Sequence, residues 1–194
     1  MTRPIAVAIT GGIGAGKSEA LAAFARRGAA TVSSDEIVHE LLRREEVRRA
    51  VVERLGNGVV GLDGQLDRGA IATVVFNDDD SLGWLEALLH PLVAAEYLVW
   101  REQLAALPEP PQVCVTEVPL LYEAGSQSYF DRVVVVTAPE QLRRSRSEAA
   151  VEQRERRLLP DDEKVGRADY AYTNAGSIAE LESFVASVLD DLTG

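Results

Sequence analysis

Cysteine is nearly absent from this chain of 194 residues. Cys114 stands alone, so no intrachain disulfide can form, and its place in an apolar run reads as a buried structural thiol. Positive charge is scarce too: 20 Lys and Arg face 31 Asp and Glu, a formal net charge of -11. Binding nucleic acid means neutralising many phosphates, so that partner class is disfavoured, and an anionic membrane surface with it. A small phosphorylated ligand stays compatible, because a few local cations can hold it whatever the overall charge. No apolar run approaches the roughly 20 residues that span a bilayer. The N-terminal apolar stretch stops at Gly11 with no small-residue cleavage site behind it, so no signal peptide is expected. With 46% hydrophobic residues, the chain reads as one globular domain of the cytoplasm.

What is present is concentrated near the start. Ile5 to Ile9 form a short apolar run of the kind that makes a buried parallel strand. Thr10 leads into Gly11, Gly12, Ile13, Gly14, Ala15, Gly16, Lys17 and Ser18, which meet the spacing G-x-x-x-x-G-K-[ST] in full. Glycines let successive backbone N–H groups turn toward a phosphate. Lysine supplies a point charge for the β- and γ-phosphates, and the serine hydroxyl is a ligand for Mg²⁺. A helix pattern over 19–27 follows, its positive end aimed at the same phosphates. Strand, loop and helix in that order are the context the motif requires, so a bound nucleoside triphosphate is expected.

Gly28 reads as the cap of that helix, and residues 29–32 as a second strand. Ser33-Ser34-Asp35-Glu36 opens another helix. Asp35 reads equally as a helix cap or as a carboxylate at the ligand-binding edge of the sheet, where it accepts a proton from a substrate hydroxyl. Residues 36–106 are helical in pattern, punctuated by turns at Asn57-Gly58, Gly61 and Asp63-Gly64, with breaks before Leu82 and at His90-Pro91. His90 by itself reads as a structural histidine ahead of a ligand. Val113–Val118 is a third strand that brings Glu117 to the active edge, suited to Mg²⁺ or its water. Val133–Val136 is a β-branched and hence central fourth strand. From Ala138 the chain is rich in cations, among them Arg143, Arg144, Arg146, Arg154, Arg156, Arg157, Lys164 and Arg167. They fit either a solvated helix or a lid that lends arginines to a phosphoryl group. Residues 170–173 close the sheet, and 178–192 form a final amphipathic helix.

Several stretches together resemble the dephospho-coenzyme A kinases, a family of P-loop nucleotide kinases: Thr10–Ser18, Ser34–Ile37, Leu66–Arg68, Leu89–Leu92, Val118–Glu123, Val135–Pro139, and Glu163-Lys164 through Asn174–Gly176. The resemblance implies ATP-dependent phosphorylation of the ribose 3′-hydroxyl of dephospho-coenzyme A, with Mg²⁺. Asp35 would be the base, His90 would belong to the acceptor-binding region, and Asn174 would lie near adenine. Arg154 matches the family's lid arginine. Departures are Ser33 for the usual Asp, Glu19 for the usual Thr, Leu158 for the usual Gln, and a shortened stretch from Pro139 to Lys164. Glu19 is expected to face solvent or pair with a cation. Other readings are a different small-molecule or nucleoside monophosphate kinase, or a non-catalytic relative. The expected architecture is one α/β P-loop kinase domain over 1–194, with about five parallel strands between helices. Its core covers 1–35, 112–138 and 168–194, a helical substrate lobe covers about 36–111, and a lid covers about 139–167. Two small molecules are the expected partners of a monomer or small homo-oligomer.

Overall fold

The computed structural model describes residues 3–146 and 158–194, with residues 144–146 described in backbone only. Five strands form one sheet: β1 (Ile5–Thr10), β2 (Ala30–Ser33), β3 (Val113–Glu117), β4 (Arg132–Thr137) and β5 (Tyr170–Thr173). Their spatial order is β2-β3-β1-β4-β5, and every pairing is parallel. The first strand therefore lies in the middle, and β4 is flanked on both sides, as its unbroken β-branched run predicts. Glu117 is paired in register with Ile9 on one side and Ser33 on the other, so β2 and β3 end level and β1 runs one residue further.

Alternation along the strands divides the core. Val7 and Ile9, with Val134 and Val136, face α1 (Lys17–Arg26) and the last helix (Ile178–Thr193), and meet Phe24, Leu181 and Val185 there. Ala8, Val133 and Val135 face the other way, onto Val118, Leu121 and Tyr122. Burial on both faces removes the polar alternation a half-exposed strand would show. The last helix is started by a capping box: Ser177 Oγ accepts from Glu180 N–H at 3.3 Å, and Glu180 Oε2 accepts from Ser177 N–H at 2.6 Å.

Contacts divide the chain into two compact units, residues 1–34 with 97–194, and residues 35–96. The second contains nearly all of α2 (Ser34–Leu42), α3 (Glu45–Leu55), α4 (Arg68–Val75) and the larger part of α5 (Asp79–Ala105). Asp67 caps α4, accepting from the N–H groups of Gly69 and Ala70 at 2.8 and 3.1 Å. Among the described residues, the only extended pairing in this unit is a single antiparallel bridge, Val60 to Leu66.

The break expected at His90-Pro91 does not occur: α5 runs 27 residues with Pro91 inside it. Proline there forfeits a backbone bond at a cost of about 3 kcal/mol. Leu82, Leu85, Leu89, Val93 and Tyr97 are all buried on a repeating stripe that crosses the proline, and each is worth about 1.5–3 kcal/mol. Packing outweighs the lost bond. The fused helix also corrects the expectation about apolar length. It holds an 18-residue window of mean hydropathy 1.2, long and apolar enough to cross a membrane, though a third of that window is buried inside the protein. Beyond the second unit, Tyr97 packs on Phe130 at 5.4 Å between ring centroids.

Candidate active site

The loop between β1 and α1 is shaped by what a side chain would strike. Gly11 has φ 141°, and a Cβ there would lie 1.9 Å from the Val136 carbonyl oxygen of β4. Only glycine allows that approach. Gly16 caps α1 in the left-handed region at φ 95°. Lys17 is buried, and its Nζ donates to the carbonyls of Gly12 at 2.9 Å and Gly11 at 3.2 Å. The ammonium thus sits inside the loop it serves.

Ser18 Oγ donates to Glu117 Oε1 at 3.4 Å. A strand-end carboxylate beside the P-loop hydroxyl is an all-oxygen donor pair, hard in character, the set that Mg²⁺ takes along with substrate phosphates and water. The residues fit the ion. Glu19 is turned away from the loop: its carboxylate pairs with Arg26, at the far end of α1, at 2.9 Å, and Arg26 also reaches Glu182 at 2.6 Å. The extra negative charge beside the loop is thereby spent on a cation, as its position demands.

Asn174 is buried, and its amide Nδ2 donates to the Ala15 carbonyl at 2.9 Å. The turn after β5 therefore braces the P-loop directly, a contact that sequence spacing does not reveal. Arg143, on the short helix α6 (Glu140–Arg146), lies over the same loop. A Cβ on Gly12 would be 2.7 Å from Arg143 Nη1 and 3.2 Å from Asp161 Oδ1. Asp161 opens α7 (Asp161–Val165), and its Oδ2 is 3.8 Å from Arg143 Nη1. Of the cations expected in a lid, Arg154, Arg156 and Arg157 lie outside the described residues.

Lys164 corrects its expectation outright. It is 0% exposed and pairs with Glu123 Oε1 at 2.8 Å, so it is a buried structural charge rather than a solvated or phosphate-seeking one. Arg167, also grouped with those cations, sits over the Tyr122 ring at 5.6 Å and pairs with Glu163. Asp35 and His90 belong to the other unit. Asp35 is exposed in the first turn of α2, directly after β2, and His90 is exposed on α5.

A parallel sheet whose middle strand feeds a phosphate loop, with a hydroxyl and a carboxylate for a metal beside it, defines the P-loop nucleotide-binding proteins, the P-loop kinases among them. Solved structures agree. The protein TT1252 from Thermus thermophilus is 34% identical, each chain fully covered, with a TM-score of 0.80. A shikimate kinase from Acinetobacter baumannii, 16% identical over 97% of this chain and 94% of its own, shares the fold at 0.55. Within that class the chain belongs to the dephospho-CoA kinase family, whose profile matches residues 5–180. The dephospho-CoA kinase of Aquifex aeolicus is 32% identical over 96% of this chain and 97% of its own length. That of Methylococcus capsulatus is 36% identical over 93% of each.

Proposed function

We propose that this chain transfers the γ-phosphoryl group of ATP to the ribose 3′-hydroxyl of dephospho-coenzyme A, yielding coenzyme A and ADP, the last step of coenzyme A biosynthesis. The observation that carries the reading is the complete phosphate loop on the middle strand of a chain whose family match spans residues 5–180. Lys17 exchanges its two carbonyl partners for phosphate oxygens, and the N–H groups of residues 11–18 with the start of α1 take the rest of the negative charge. Arg143, already over Gly12, adds a further cation to the same place.

Ser18 and Glu117 are the residues that would hold Mg²⁺, which when bound neutralises charge on the β- and γ-phosphates. Asp35 accepts the proton of the acceptor hydroxyl as the new O–P bond forms. His90 serves the acceptor region and Arg154 the transferring group. The Asn174 loop lies near the adenine of ATP, and its amide also braces the phosphate loop at Ala15. Glu19 belongs to the ATP-binding stretch through its backbone, while its carboxylate pairs with Arg26. The core covers 1–35, 112–138 and 168–194, a helical acceptor lobe covers about 36–111, and a lid of about 139–167 excludes water. The reading needs only two small-molecule partners, neither nucleic acid nor membrane, in the cytoplasm, for a monomer or small homo-oligomer. The acidic chain and its single buried thiol accord with it.

The test is ADP release from Mg·ATP with and without dephospho-coenzyme A, with the product weighed by mass spectrometry. A product heavier by one phosphate, formed only with that acceptor, is expected. ATP binding without transfer would overturn the assignment. Replacing Asp35 with Asn should cut turnover about 10²–10⁴-fold; unchanged turnover would remove it as the base.

A further inference from the structure

The chain has two lysines among its 20 cationic residues. Both are buried: Lys17 is 8% exposed, and Lys164 is 0% exposed. Lys17 belongs to the phosphate loop, which leaves Lys164 to explain. Its Nζ lies 2.8 Å from Glu123 Oε1, and that same oxygen accepts the backbone N–H of Leu159 at 2.9 Å. Glu123 sits in the turn that follows β3, and its side chain is 14% exposed. One carboxylate oxygen therefore grips the chain at two points, and these bracket Asp161.

What they bracket reaches the phosphate loop. Asp161 Oδ2 is 3.8 Å from Arg143 Nη1, and Arg143 Nη1 lies 2.7 Å from the place of a Cβ on Gly12. Named contacts thus run from Glu123 through residues 159–164 to Arg143 and the loop, all within one compact unit. A buried ion pair is a poor device for stability alone, because an apolar pair of equal volume does as well or better. An apolar side chain cannot, however, accept a hydrogen bond from Leu159. The carboxylate provides registration of the backbone, and its charge is what Lys164 balances.

We propose that Glu123 is a positioning residue for the nucleotide site: by accepting the Leu159 N–H it sets Asp161, and through it Arg143, on the phosphate loop, while Lys164 serves to balance its charge. This rests on the reading of that loop as the ATP site. The test uses the full chain and three measurements: the dissociation constant of a fluorescent ATP analogue with Mg²⁺ and no acceptor, the thermal midpoint, and the KM values of both substrates.

Two variants should move these measurements in opposite directions. Glu123→Gln keeps an acceptor for Leu159 but strips Lys164 of its counter-charge. Its midpoint should fall while its affinity for the analogue stays within about twofold. The pair Glu123→Leu with Lys164→Met restores burial without the acceptor. Its midpoint should return toward that of the parent while affinity for the analogue drops about tenfold and the acceptor KM holds. Arg143→Ala should cost about tenfold in the parent and almost nothing further in the Leu/Met background, because contacting residues couple. Parental affinity in the Leu/Met variant would overturn the proposal. So would an equal loss on Arg143→Ala in both backgrounds. Should Leu/Met fail to fold, a tenfold affinity loss in folded Glu123→Gln would likewise overturn it. A parent that binds no ATP analogue would instead overturn the nucleotide reading, and this proposal with it.

Discussion

Lys17 and Lys164 are the same residue in the same state of burial, yet their surroundings assign them opposite work. Lys17 Nζ is held by two neutral carbonyls, those of Gly11 and Gly12. Exchanging those dipoles for a phosphate is downhill for an ammonium ion. Lys164 already faces a carboxylate at 2.8 Å, with no exposed surface, and no ligand improves on that. Bonds to loop carbonyls can be exchanged for phosphate oxygens, whereas a lysine fully buried on a carboxylate is fastened. The lesson is about neighbours: burial alone separates neither lysine from the other.

The widest break in this comparison should come from Lys164→Met. It leaves Glu123 buried without its counter-charge, a loss of about 3–5 kcal/mol in stability, read by chemical denaturation. Lys17→Met should do the reverse, lowering kcat about 10²–10³-fold while the denaturation midpoint moves little; equal effects on both quantities in the two variants would erase the distinction.

A third lever is pH. Burial, the largest cause, pushes the Cys114 thiol up to about 11 from an ordinary value of 9.0. The unfolded chain therefore ionises first, so the thiol's contribution to stability is complete below pH 9 and is lost as pH rises toward 11. That loss amounts to about 2 kcal/mol, and Cys114→Ser should lack it in denaturation curves between pH 8.5 and 10.5. Asn174→Ala removes the amide from the Ala15 carbonyl at a cost of about 1 kcal/mol, and the ATP KM should rise a few-fold. Smallest of all, Arg26→Ala breaks an exposed pair with Glu19, and exposed pairs contribute little. ATP KM and midpoint should stay unchanged; a rise in KM would mean that the freed Glu19 swings back to the loop.

Legibility in the sequence followed the range of the interactions. The five strands, the phosphate loop and the final helix were readable because each rests on local pattern: apolar runs, a fixed glycine spacing, an amphipathic period. Glu117 at a strand end belongs with them, and Glu19 was readable as a charge that would face solvent or pair with a cation, the second of which the fold realises. Pro91 was misread because proline's local cost was visible while the stripe from Leu82 to Tyr97 that overrides it is a matter of burial. Lys164 was misread because it lies among arginines in the chain and beside Glu123 only in the fold.

By itself, then, the sequence determined that this chain makes a parallel sheet with a phosphate loop on its first strand, since periodicity and glycine spacing act within a few residues of themselves. Only the tertiary structure decided which cations lie at the phosphate loop and which are consumed by the protein. Asn174 reaching Ala15, Arg143 lying over Gly12 and Lys164 meeting Glu123 are contacts between distant stretches of chain. The reason is physical: a charge declares its role through the partner it meets once water is gone, and the fold chooses that partner.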